Sequence, residues 1–156
     1  MKVNPALLLA MLLAGVAGCD TPVDDEEPID GYTEWYRLDT WGPLPGHGES
    51  YRSIFVNDVG RSYRGGLYPV GTVLVKEIRT LVDRDQPGDL RYLAVMRRIS
   101  DSRSADDAYG WLFTSLAEPG AQEYASERCW SRCHVQAPIA GAWFDYGADA
   151  DADPDE

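Results

Sequence analysis

The sequence predicts an α+β fold, mainly antiparallel β-sheet with a few short helices, and three observations carry that prediction. Residues 72–82 and 90–99 are both rich in Val, Leu, Ile and Tyr, the composition of half-buried strands. The segment between them, DRDQPGD, is turn chemistry, so the two should pair as a hairpin. A third strand candidate follows at residues 109–116, and the helical signals elsewhere are short.

Taken in order, the chain begins with MKVNPALLLAMLLAGVAG, a basic start at Lys2 and an apolar run too short to span a bilayer. Residues 1–18 therefore read as a signal peptide. Val16-Ala17-Gly18-Cys19 is the small-residue pattern cut before a cysteine that carries lipid, so Cys19 is the expected lipidation site. An ordinary secretory signal with a chance cysteine is the alternative. Acyl chains on Cys19 would hold an exported domain on a bacterial membrane, facing the periplasm.

The formal charge of -12 is concentrated at the two ends, with six acids between Asp20 and Asp30 and five between Asp149 and Glu156. Residues 31–147 are close to neutral, and no basic run marks a nucleic-acid surface. The expected division is an acidic tether over 19–33, a folded domain over 34–147 and a disordered acidic tail over 148–156. Within the domain, 31–48 reads as an irregular or part-helical lead-in, rich in Trp, Tyr, Gly and Pro. Residues 50–57 suit a strand or a short helix. Residues 58–66 suit a short helix capped by Asn57 or Asp58, with Tyr63 facing inward. After the third strand, residues 121–129 could form a helical turn.

That turn would lead into Cys129-Trp130-Ser131-Arg132-Cys133-His134, one residue longer than the CxxCH signature of covalently attached haem. In that signature two thiols anchor the porphyrin and the adjacent histidine becomes an axial ligand. Here Cys133 and His134 keep their adjacency, while the reach to Cys129 lengthens by one residue. A plain disulfide between Cys129 and Cys133 is the alternative, since an oxidising compartment allows it. A zinc site has less support, because the mature chain has only His47 and His134 as imidazoles.

YRSIFVND (51–58), YPVGTVLVKE (68–77), YLAVM (92–96), YGWLF (109–113) and CWSRCH (129–134), in this order, resemble the blocks of the cytochrome P460 family, which includes the β-sheet type of cytochrome c′. The resemblance runs from about residue 50 to 146. It implies a sheet-rich, homodimeric protein with one c-type haem, five-coordinate through His134, and an open side for small nitrogen-containing ligands. It further implies either oxidation of hydroxylamine, with electrons passed to a partner cytochrome, or non-catalytic nitric oxide binding or electron transfer. A haem-free lipoprotein with a Cys129–Cys133 disulfide is a third reading.

Lys76 aligns with the lysine that is linked to the haem macrocycle in the P460 enzymes. In a strand it shares a face with Leu74 and Ile78, and desolvation there would favour the nucleophilic neutral amine. The alternative is an edge lysine whose ammonium reaches water or Glu77. Arg52 lies where the family places a polar pocket residue, and Glu127 is a candidate proton acceptor near the cavity mouth. Met96 and His47 are candidate sixth ligands, although Met96 also suits the core and His47 a loop. Phe55 or Phe113 could cap the ligand side, and Trp111 is most simply core.

Overall fold

Alternating apolar side chains build the strands, and the computed structural model describes residues 21–23, 26–44, 46–83 and 85–147. In chain order the strands are β1 Thr21–Val23, β2 Tyr36–Leu44, β3 Gly48–Val56, β4 Val73–Asp83, β5 Gln86–Arg98, β6 Trp111–Leu116 and β7 Glu123–Ala125. They form one antiparallel sheet in the order β1-β7-β6-β5-β4-β3-β2. The predicted hairpin is β4 with β5, in register from Val73↔Arg97 to Ile78↔Tyr92 and irregular beyond it. Part of the expected turn, from Gln86, joins β5.

Strand pairing assigns the two faces, because directly opposed residues point to the same side. One face carries the row Ile54, Lys76, Ala94 and Ser115 beside the row Val56, Leu74, Met96 and Phe113. Tyr63, Tyr68, Trp111 and Tyr146 pack with the apolar members of these rows as the larger core cluster. The opposite face carries Phe55, Val75, Leu93, Val95 and Leu116, covered by Ile29 and Tyr32.

Two short helices complete the layer over the first face, α1 Asp58–Arg61 and α2 Glu127–Arg132. Asn57 caps α1 as expected: its side-chain oxygen accepts from the Gly60 amide at 2.9 Å. The same oxygen accepts from the Val73 amide at 3.1 Å, which ties the helix to β4. Tyr63 is buried.

Three sequence expectations are corrected. The 31–48 lead-in is a 3-10 turn at Tyr32–Glu34 followed by the nine-residue strand β2. β2 lies at the edge of the sheet, where Gly42 and Pro43 cost no inner ladder bond. The 121–129 segment begins as β7, not as a helical turn. The acidic 19–33 segment is not a loose tether in its described part. Thr21–Val23 pairs with Glu123–Ala125, and Ile29 and Tyr32 are buried on the sheet. Two apolar side chains inside an acidic run suffice to dock it, and the run's charge is partly met by Arg97, which binds Glu123 at 2.7 Å and lies 4.0 Å from Glu26. The signal peptide, Cys19 and the 148–156 tail lie outside the described residues. Among the described residues no helix is long and apolar enough to cross a membrane.

Candidate functional site

A cavity of about 300 Å³ opens between the Lys76 face of the sheet and α2. The sheet supplies Lys76, Met96 and Phe113, and α2 with its following turn supplies Cys129, Cys133 and His134. Cys129 and Cys133 are both thiols. Cys129 lies within α2 and Cys133 is its C-cap, already out of helical backbone, yet both line the cavity, so the extra residue in CWSRCH still brings the two cysteines to one site. Trp130, between them, packs against Tyr109 and Phe113 at 5.8 and 6.1 Å and seats α2 on the sheet. Gly46 is shaped to the second cysteine: a Cβ there would stand 2.9 Å from Cys133 Sγ.

His134 opens a 3-10 turn, His134–Gln136, and is buried. Its Nδ1 lies 2.6 Å from the Gly141 carbonyl oxygen. A carbonyl can only accept, so Nδ1 carries the proton and Nε2 is left with a lone pair. The carbonyl is aimed by a tight reversal in which Ile139 and Ala142 exchange both backbone hydrogen bonds and Ala140 and Gly141 have φ of 43 and 93. That is the backbone of a two-residue hairpin turn with both central residues at positive φ. Burial lowers the imidazole to about 4, with Lys76 adding to the effect and the Gly141 bond opposing it. His134 is therefore neutral at pH 7, the ligating form. Its ring lies against Phe113, with 4.6 Å between centroids.

Lys76 is 5 % exposed, in the interior of the sheet and not at an edge. Glu77 belongs to the opposite face, where it accepts from the Tyr32 hydroxyl at 2.7 Å and pairs with Arg79 at 2.8 Å. Desolvation, with the Arg52 charge adding, lowers the Lys76 amine to about 8. About a tenth of it is then neutral at pH 7, against about one part in three thousand for a solvated lysine.

The other expected residues divide. Arg52 is buried but spent on its own strands: it donates to Thr40 Oγ1 at 3.0 Å, to the Gly42 carbonyl at 2.8 Å and to Ser50 Oγ at 3.1 Å. It fastens β2 to β3 and acts on the cavity through its charge. Glu127 is exposed in the first turn of α2 and does not line the cavity. Met96 is at once core and cavity wall. Phe113 lines the cavity, whereas Phe55 packs edge-on against Tyr32 on the opposite face, which removes it as a cap. Trp111 is core, donating from Nε1 to the Ala140 carbonyl at 2.9 Å.

The sequence reading gave no role to Tyr92 and placed His47 in a loop. Both line the cavity, and His47 Nδ1 lies 2.9 Å from the Tyr92 hydroxyl. A detectable signal existed, since Tyr92 shares the parity of Ala94 and Met96 along β5, but the turn that swings His47 over it depends on the unrecognised β2.

The donor set fits a haem. Two thiols at one cavity, a neutral buried imidazole with Nε2 uncommitted, and apolar walls from Leu74, Met96 and Phe113 are the groups that such a cofactor needs. Among the described residues no group of three or more His, Cys, Asp or Glu could hold a metal ion without a porphyrin. No curated protein matches the chain in sequence. The sequence model of the cytochrome P460 family matches residues 29–141, from the Ile29 that covers the sheet to the Gly141 that holds His134. By that match the chain belongs to the cytochrome P460 family, and it is a haem cytochrome.

Proposed function

We propose that the protein is a lipid-anchored, periplasm-facing cytochrome with one covalently attached haem that oxidises hydroxylamine or a related small nitrogen compound. The observation that carries the reading is the convergence of Cys129, Cys133, His134 and Lys76 on one cavity. Cys129 and Cys133 would supply the thioether bonds and His134 Nε2 the axial ligand. When bound, the haem supplies an iron that accepts electrons drawn from the substrate.

The chain's own residues set the terms of that chemistry. The Gly141 carbonyl fixes the His134 tautomer and strengthens its basicity, which is the usual role of a partner on the second imidazole nitrogen. The neutral fraction of Lys76 makes its amine a nucleophile able to bond to the macrocycle. Apolar walls from Leu74, Met96 and Phe113 give the site a largely apolar lining. Cys19 provides the anchor, a second copy completes a homodimer, and electrons leave to a partner cytochrome.

The test is the visible spectrum of protein matured in a host with haem-attachment machinery, followed by turnover of hydroxylamine with an artificial acceptor. The proposal expects a red-shifted haem band that Lys76→Ala returns to the ordinary c-type position, and acceptor reduction that needs hydroxylamine. A loaded protein that binds hydroxylamine without passing electrons on would overturn the enzymatic reading.

A further inference from the structure

Oxidising a hydroxylamine-class compound strips protons together with electrons, so the cavity needs a group that takes them. Of the groups facing it, Arg128 and Arg132 of α2 line it and Arg52 of β3 acts through its charge; guanidinium groups are always protonated and cannot accept. Lys76 of β4 is mostly ammonium at pH 7 and its amine is spent once it bonds to the macrocycle, and His134 is committed through both nitrogens once Nε2 ligates. The hydroxyls of Tyr92 and Tyr146 are held protonated, their acidity suppressed chiefly by burial. Among the described residues no carboxylate lines the cavity. One imidazole is left, His47 on the turn between β2 and β3.

We propose that His47, held by Tyr92, is the proton relay of this cavity. The inference rests on the functional reading above and names its proton acceptor. The geometry is already that of a relay: Nδ1 is 2.9 Å from the Tyr92 hydroxyl, the rings are 6.2 Å apart, and both side chains line the cavity while neither is fully buried. In the tautomer that carries its proton on Nδ1, that N–H donates to the Tyr92 oxygen and Nε2 is the nitrogen left for the substrate. A proton leaving substrate nitrogen or oxygen is taken up at Nε2. The Nδ1 proton passes to the Tyr92 oxygen as that hydroxyl's own proton leaves to water. One proton enters the pair and one departs, the ring ends neutral, and tautomeric exchange with solvent restores it. The electrons would be taken by the haem and its partner cytochrome, the acceptors that the proposed function names. Burial beside Lys76, His134 and Arg52 lowers His47 to about 3, so the ring is neutral at pH 7 and one nitrogen keeps a lone pair. His47 would be a catalytic residue by this account, and Tyr92 a positioning one.

The experiment compares loaded wild type with His47→Gln, His47→Ala and Tyr92→Phe. His47→Gln should keep the wild-type visible spectrum and lose at least about 100-fold in kcat, within the range for a missing acid–base group. Imidazole should restore part of the turnover of His47→Ala. Tyr92→Phe should lose about tenfold and show a changed solvent isotope effect and pH profile, which a purely structural role would not alter. Binding gives a readout that needs no turnover. His47→Ala should weaken hydroxylamine, a hydrogen-bond donor, about tenfold more than nitric oxide, which donates none. Turnover of His47→Gln within twofold of wild type would overturn the relay. So would a conversion from low-spin to high-spin spectrum in that variant, because His47 would then be an iron ligand. If wild type carries haem but never oxidises hydroxylamine, the functional reading fails by itself, and the binding ratio alone decides the role of His47.

Discussion

Replacing Lys76 with Met tests the electrostatics of the site without touching Cys129, Cys133 or His134. Lys76 is 5 % exposed, and its amine falls from 10.5 to about 8, chiefly by desolvation. That fall corresponds to about 3 kcal/mol of penalty for carrying the ammonium inside the folded protein. The folded state binds fewer protons than the unfolded state between the two values. Stability therefore rises with pH from about 8 towards 10.5, and the full penalty applies below 8. Met keeps the apolar stem and removes the charge. In protein produced without haem, Lys76→Met should be more stable than wild type by up to about 3 kcal/mol at pH 7, and the gap should narrow steadily by pH 10. Urea unfolding at pH 7, 8, 9 and 10 measures it, with tyrosine ionisation common to both proteins. No gap at pH 7, or a gap that persists unchanged to pH 10, would refute a desolvated ammonium at this position.

The same linkage operates on the acid side. His134 and His47 are lowered from 6.5 to about 4 and about 3, so their contribution is intact above pH 6.5 and is lost as pH falls through the folded values. A His134→Ala, His47→Ala double variant should therefore show a shallower loss of melting temperature between pH 6.5 and 4 than wild type. Gly141→Ala should destabilise by about 1–2 kcal/mol, since φ of 93 strains a side chain there and its Cβ would stand 3.1 Å from Trp111. The same variant should disturb the His134 signal in ¹⁵N imidazole spectra, because the carbonyl that accepts from Nδ1 shifts with the turn. An unchanged melting temperature would contradict the tight packing of this reversal.

What the sequence revealed follows from the range of each signal. β4 and β5 were legible because their β-branched runs and the intervening turn are local. CWSRCH was legible as a cofactor motif, yet its unusual spacing made sense only once α2 and its C-cap brought residues 129 and 133 to one cavity. β2 was missed because Gly42 and Pro43 read as turn formers, and only its edge position makes them harmless. That one omission hid the contact of His47 with Tyr92, which depends on the β2–β3 reversal. Face assignment failed at Phe55 for a similar reason. It pairs with Val75 and not with Lys76, a register that no local pattern specifies. The buried Ile29 was masked by the acids around it.

The central claim is that α2 and the turn after it carry a covalently held haem, and intact mass under denaturing conditions tests it most directly. Protein matured with haem-attachment machinery should retain the mass of one haem, Cys129→Ala and Cys133→Ala should each still retain it through the remaining thioether, and the double variant with Lys76→Ala also changed should retain none. A wild-type mass equal to the polypeptide alone, with Cys129 and Cys133 two hydrogens lighter as a disulfide, would contradict the account.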